Sequence, residues 1–220
     1  MNFKEAFHFL SDLRQNNNRE WFAENNKRYQ KVKREFTQFI DDLIPVIKQF
    51  ESDIDVTAKD CVFRIFRDVR FSKNKAPYKT NLGAFIAKGG RKSPYAGYYL
   101  HIEPGGSFLG GGIYMPESAV LKAIRTGIFE NTEEFRSIIH DPAFREYFDG
   151  IYGETLVNPP RGFPKDFPDV DLLKHKHYAV THPVNDSFWN SKHIFDDLAR
   201  IYRIQYPFNR FLNRAVERVV

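Results

Sequence analysis

Apolar side chains recur every three or four positions at the start of the chain. Phe3, Ala6, Phe7, Leu10 and Leu13, with Phe9 beside them, predict a helix over residues 3–14. Asn16, Asn17 and Asn18 break it, and Asn18 is placed to cap the next helix. From Arg19 the same period runs through Trp21, Phe22, Tyr29, Val32, Phe36, Phe39, Ile40, Leu43 and Ile47. Trp21 and Phe22 belong to the core in this reading, and Pro45 should kink or end the helix near Ile44. The period then shortens. Cys61, Phe63 and Ile65 alternate with Val62, Arg64 and Phe66, which predicts a strand running into Arg67 and Asp68. Residues 84–88 lead to a Gly89-Gly90 turn. Residues 95–103 alternate cleanly, with Tyr98, Leu100 and Ile102 on one face and Tyr99, His101 and Glu103 on the other. Pro104-Gly105-Gly106 turns the chain and residues 107–114 return, which predicts an antiparallel hairpin.

Residues 117–129 read as a helix. Asn131 with Glu134 resembles a capping box opening a short helix to Ile139, and Asp141-Pro142 starts another that Gly150 stops. Residues 151–169 are rich in proline and glycine and predict an ordered loop with Phe163 and Phe167 buried. Residues 177–184 predict a strand. The last helix opens at Asp186 or Ser187 and should be interrupted at Pro207. The pattern predicts an α+β fold: a mostly antiparallel sheet with helices packed on at least one face. The expected arrangement is a single domain over 1–220, with N-terminal helices over 3–50, a central sheet over 60–115, and C-terminal helices and loops over 117–220.

Composition adds three points. Aromatic residues make up 16% of the chain, with 22 Phe and 11 Tyr, enough to fill a core and leave rings over to line a cleft. The single cysteine, Cys61, excludes an internal disulfide and sits in an apolar run, so a buried thiol is expected. The first residues are charged and amphipathic and no stretch approaches a membrane span. A cytoplasmic protein with no membrane partner is the expectation.

Charge locates the first candidate chemistry. The formal net charge is +5, and residues 64–79 carry Arg64, Arg67, Arg70, Lys73, Lys75 and Lys79 against Asp68 alone. The local excess therefore equals that of the whole chain. These cations interleave with Phe63, Phe66, Phe71 and Tyr78. Arginine offers a planar fork and lysine a point charge, a combination that suits an oxyanion. Arg64, Arg67, Arg70, Lys75, Tyr78 and Lys79 are the anion-binding candidates; a solvated, charged hairpin is the other reading. His101 and Glu103 are the catalytic candidates, as an acid/base pair beside Tyr99, unless Glu103 only neutralises an arginine. Gly110, Gly111 and Gly112, with Tyr99, either shape a pocket or mark a bulge or sheet bend. His175, His177 and His182 cluster near Asp169 and Asp171, but no closed zinc pattern accompanies them, and no metal or other cofactor is expected. Nucleophile-elbow, phosphate-loop and dinucleotide signatures are missing from the sequence.

Several stretches carry a resemblance: NNNREWFAENNKRY at 16–29, FRIFRDVRFSKNKAPYKTNLG at 63–83, GYYLHIEPGGSFLGGGIYMPES at 97–118 and PPRGFP at 159–164. Together they resemble the bacterial domain-of-unknown-function 2461 family across most of the chain. The resemblance implies one α+β domain and transfers no catalytic residues. The residues themselves favour binding, with or without turnover, of a small anionic or phosphorylated ligand. A nucleic-acid-binding module is the alternative, and a structural or interaction protein without a ligand is the third reading.

Overall fold

A computed structural model describes residues 1–220. The chain opens with α1 (Phe3–Gln15), a short α2 (Arg19–Glu24) and a long α3 (Asn26–Lys48). Asn18 caps α2 through a side-chain oxygen that accepts from the Trp21 amide at 2.9 Å. Asn25 divides α2 from α3, a break that the unbroken apolar period conceals. Pro45 lies inside α3, which continues to Lys48 with Ile44 and Ile47 buried. Near the end of a helix the amide missing from proline is a single lost bond, and packing outweighs it.

The expected strand at 61–67 is corrected. Residues Ala58–Cys61 form a helical turn, α4. The Asp60 carboxylate accepts from the Thr57 amide at 3.0 Å and the Thr57 hydroxyl at 2.8 Å, and this local cap competes successfully with strand formation. Cys61 is fully buried, and burial pushes its thiol pKa up to about 12. Residues 62–67 are extended but only bridge the returning segment. Val62 lies opposite Ala84, and Phe66 opposite Tyr78. The Lys79 amide donates to the Ile65 carbonyl at 2.8 Å, and the Arg67 amide to the Pro77 carbonyl at 2.9 Å.

The sheet has four antiparallel strands in sequential order: β1 (Leu82–Ile86), β2 (Gly97–Ile102), β3 (Phe108–Ile113) and β4 (Tyr178–Pro183). Between β3 and β4 come α5 (Ser118–Glu130), α6 (Thr132–Ile139), α7 (Pro142–Tyr147) and α8 (Val170–Leu173); α9 (Ile194–Val216) ends the fold. Asp141 caps α7 as expected, accepting from the Ala143 amide at 2.9 Å and the Phe144 amide at 3.1 Å. Asn131 forms no capping box; its side chain instead donates to the Gly127 carbonyl, at 3.1 Å. Residues Asp186–Asn190 form a separate 3-10 turn, and α9 begins only at Ile194. Pro207 lies within α9 without ending it, with Phe208, Phe211 and Leu212 all buried beyond it.

Register sorts the two faces of the sheet. Leu82, Ala84, Ile86, Tyr98, Leu100, Ile102, Leu109 and Val180 face the helices and are buried. A polar stripe on α9 pins the sheet from this side. The Tyr202 hydroxyl donates to the Tyr99 carbonyl at 3.0 Å, and the side-chain amides of Gln205 and Asn209 each donate to the Gly97 carbonyl at 3.1 Å. Asn213 accepts from the Ala96 amide at 2.7 Å. Glycine at 111 makes room for this contact, since a Cβ there would collide with the Gly97 carbonyl and the Gln205 amide. The hydrophobic core runs as one cluster from Phe3 to Val216. No helix is long and apolar enough to cross a membrane.

Candidate functional site

The second face of the sheet is not covered by a helix. Strand alternation places Phe85 of β1, Tyr99 and His101 of β2, Phe108 of β3 and Thr181 of β4 on it. Phe85 pairs across the ladder with Tyr99, and His101 with Phe108. Loops rise around this floor and enclose a cleft of about 800 Å³. Phe63 and Lys79 come from the bridged arm before β1. Arg91, Ser93 and Tyr95 come from the β1–β2 connection, Tyr114 from the end of β3, and Tyr152 from the long connection before β4.

Along β2 three side chains form a hydrogen-bonded chain. The Tyr99 hydroxyl lies 3.0 Å from Nδ1 of His101, and Nε2 of His101 lies 3.0 Å from Oε2 of Glu103. The other Glu103 oxygen accepts from the Thr80 hydroxyl at 2.8 Å and from Arg14 at 3.0 Å. Partial burial pushes the Glu103 carboxyl up, but the bonds from His101 and Thr80 and the charges of His101 and Arg14 bring it below the usual carboxylate range. An ionised carboxylate only accepts. Nε2 of His101 therefore carries a proton towards Glu103, and when the ring holds that proton alone Nδ1 accepts from Tyr99. Asn81 lies 3.3 Å from the same nitrogen. Burial, and secondarily the Glu103 charge, raise the Tyr99 phenol to about 12. Phe108 stacks on the His101 ring with centroids 4.6 Å apart and holds it in plane.

Charge in the cleft is one-sided. Lys79 and Arg91 line it, and no aspartate or glutamate does. Neither cation forms a salt bridge; Arg91 donates to the Lys59 carbonyl at 2.7 Å, and the Lys79 ammonium lies 5.3 Å from the centre of the Phe63 ring. Burial, and then the charge of Arg64, lower the Lys79 pKa.

The structure divides the sequence candidates. Lys79, Tyr99, His101, Gly111 and Gly112 line the cleft, and Glu103 stands behind His101. Gly110 lies in the same strand but outside the lining. Arg64 is exposed and makes no hydrogen bond or ion pair, but its charge reaches Lys79. The other basic residues organise their own loop. Arg70 is held by Asp68, with a closest approach of 2.7 Å. Arg67 donates to the Ala76 carbonyl at 3.1 Å, and Lys75 to the Val69 carbonyl at 3.1 Å. Tyr78 is buried, stacked on Phe22 with centroids 3.9 Å apart. Phe71 stands out at 96% exposure.

The three clustered histidines separate. Nδ1 of His177 accepts from the Met115 amide at 3.1 Å, and Nδ1 of His182 meets the Tyr147 carbonyl at 2.9 Å. His175 is partly buried beside Arg125, whose charge, after burial, lowers its pKa. Sequence reasoning missed Arg91, Tyr95, Tyr114 and Tyr152. They reach the cleft from segments far apart in the chain, and no local spacing marks them.

Fold and site define an α+β protein with an open-faced antiparallel sheet bearing an aromatic, cation-lined cleft. The chain belongs to the DUF2461 family, described as a conserved hypothetical protein, whose family model matches residues 5–211. No curated protein and no solved structure matches it.

Proposed function

We propose that the chain binds a small organic anion in the open-face cleft, with Lys79 and Arg91 opposing its charge. The observation that carries this reading is the lining itself: two cations that form no salt bridge, and no acidic residue. A cleft of about 800 Å³ is of the size that takes a metabolite-sized ligand. The proposal moves the anion from the basic loop to the neighbouring cleft, because Arg67, Arg70 and Lys75 already have partners within that loop. Turnover is part of the proposal. Tyr99 is the group that meets the ligand: it takes a proton from the ligand as its own passes to Nδ1 of His101, and Glu103 holds the imidazolium that results.

The test is calorimetric titration of phosphorylated and carboxylated metabolites against the wild type, Lys79→Ala and Arg70→Ala. A hit should lose affinity about tenfold or more in Lys79→Ala, on the scale of a charged hydrogen bond. Arg70→Ala should leave affinity unchanged. If Arg70→Ala weakens binding as much as Lys79→Ala does, the anion belongs to the loop and the cleft reading is wrong.

The nucleic-acid alternative draws on the same face. Aromatic rings on the open face of a four-stranded sheet are a common platform for stacking unpaired bases. It requires affinity to rise steeply with oligonucleotide length and to fall steeply with salt. An affinity for a mononucleotide equal to that for an oligonucleotide of several residues decides against it.

A further inference from the structure

We infer that the anion bound in the cleft carries a planar ring, as a nucleotide, an aryl phosphate or an aryl carboxylate does. This inference rests on the anion reading above and goes beyond it. Two observations point to a ring. The floor presents Phe85, Tyr99 and Phe108 from three neighbouring strands, each partly buried, with the Phe63 ring set edge-on to Tyr99 at 6.2 Å and Phe108 stacked on His101. At the mouth stand Tyr114 and Tyr152, 61% and 54% exposed. An exposed tyrosine alone means little, but here the backbone that carries each ring is held. The Tyr114 ring lies 4.6 Å from the His177 ring, and the adjacent Met115 takes a left-handed backbone, φ 50°, with its amide donating to His177. Met115 is the one non-glycine residue with positive φ, an arrangement that strains a chain and collects at functional sites. Tyr152 is bridged to the edge strand, its amide donating to the Ala179 carbonyl at 2.7 Å. The backbone thus holds two wet rings at the rim of an aromatic floor. A flat ring entering there would pack against both, with the aromatic floor continuing beyond it towards Tyr99, while Lys79 or Arg91 meets its charged group.

The experiment is a set of titrations with 5′-AMP, adenosine and ribose 5-phosphate against the wild type and a Tyr114→Ala/Tyr152→Ala double variant. AMP should bind roughly tenfold or more tightly than ribose 5-phosphate, and the double variant should remove roughly that factor for AMP and adenosine, the scale of base–aromatic stacking. Ribose 5-phosphate should not respond to the double variant. Both tyrosines are more than half exposed, so the variant should fold, and its circular dichroism should match the wild type. If ribose 5-phosphate binds as tightly as AMP, the ring inference falls and the anion reading stands. If adenosine binds as tightly as AMP, the ring stands and the anion reading falls. Silence from all three, and from phenyl phosphate, up to their solubility limits overturns the inference.

Discussion

Tyr78 and Lys79 are neighbours with opposite fates. Tyr78 turns inward onto Phe22 while Lys79 turns into the cleft, because adjacent residues on an extended segment face opposite ways. The same alternation set Tyr99, His101 and Glu103 in a row, and that part of the site was legible from spacing alone. Density of charge said that partners were needed, and for Arg67 and Lys75 those partners are backbone carbonyls, which no sequence displays. On the helix side of the sheet, Glu51 poses a different problem. It is 6% exposed and accepts a short hydrogen bond from the buried Tyr98 hydroxyl. Burial raises its carboxyl pKa, with the Tyr98 bond and Arg210 opposing. An acid raised in the folded state adds stability that is full below its unfolded pKa and lost as pH rises through the folded value. Glu51→Gln keeps an acceptor for Tyr98 and removes the charge. It should be more stable than the wild type at pH 7 and nearly equal at about pH 4, near the ordinary glutamate pKa. Urea unfolding at both values checks this, and a variant less stable at pH 7 would show that the carboxylate is worth keeping charged.

At the scale of elements, the hairpin of β2 and β3 and the long amphipathic helices could be read directly, since each carries its own period. The segment before β1 could not. Its apolar and basic alternation is strand-like, but a two-residue cap at Thr57 and Asp60 converts the first part to a helical turn. Prolines 45 and 207 mislead for a related reason: propensity argues for a break, and tertiary burial of the next turn overrides it. The glycine run in β3 was read as either ligand contact or backbone necessity. The packing of α9 supplies the second explanation at Gly111, where the Gln205 amide approaches the strand itself. Gly111→Ala should therefore lower stability by about 2 kcal/mol or more, as overpacking at a rigid contact does. The readout is the denaturant midpoint. A variant within a few tenths of a kcal/mol of the wild type, by the ordinary surface-substitution scale, would mean that α9 shifts away easily and does not pin the sheet.

For the whole molecule, the cleft depends on one face of the sheet being buried and the other left open. The buried face is completed by α9, the last element in sequence, and the Phe3 ring of the first helix lies 5.3 Å from Trp189, just before α9 begins. The first helix therefore packs against the turn that leads into the last one. The cleft rim, in turn, draws on segments before β1, between β1 and β2, after β3 and before β4. Such a site exists only when the full topology has closed, which is why its rim could not be seen in local patterns. We propose that the chain unfolds as one cooperative unit. Far-ultraviolet circular dichroism, which follows the helices, and near-ultraviolet circular dichroism, which follows the packed aromatic rings, should give coincident thermal transitions. A chain ending before Ile194 should lose the near-ultraviolet signal altogether, since β2 and β3 would then expose the face that Ile201, Tyr202, Phe208 and Leu212 help to bury. Two separated transitions, or a shortened chain that keeps a native near-ultraviolet spectrum, would mean that the sheet stands without α9. The cleft would then be a property of the sheet and its loops alone.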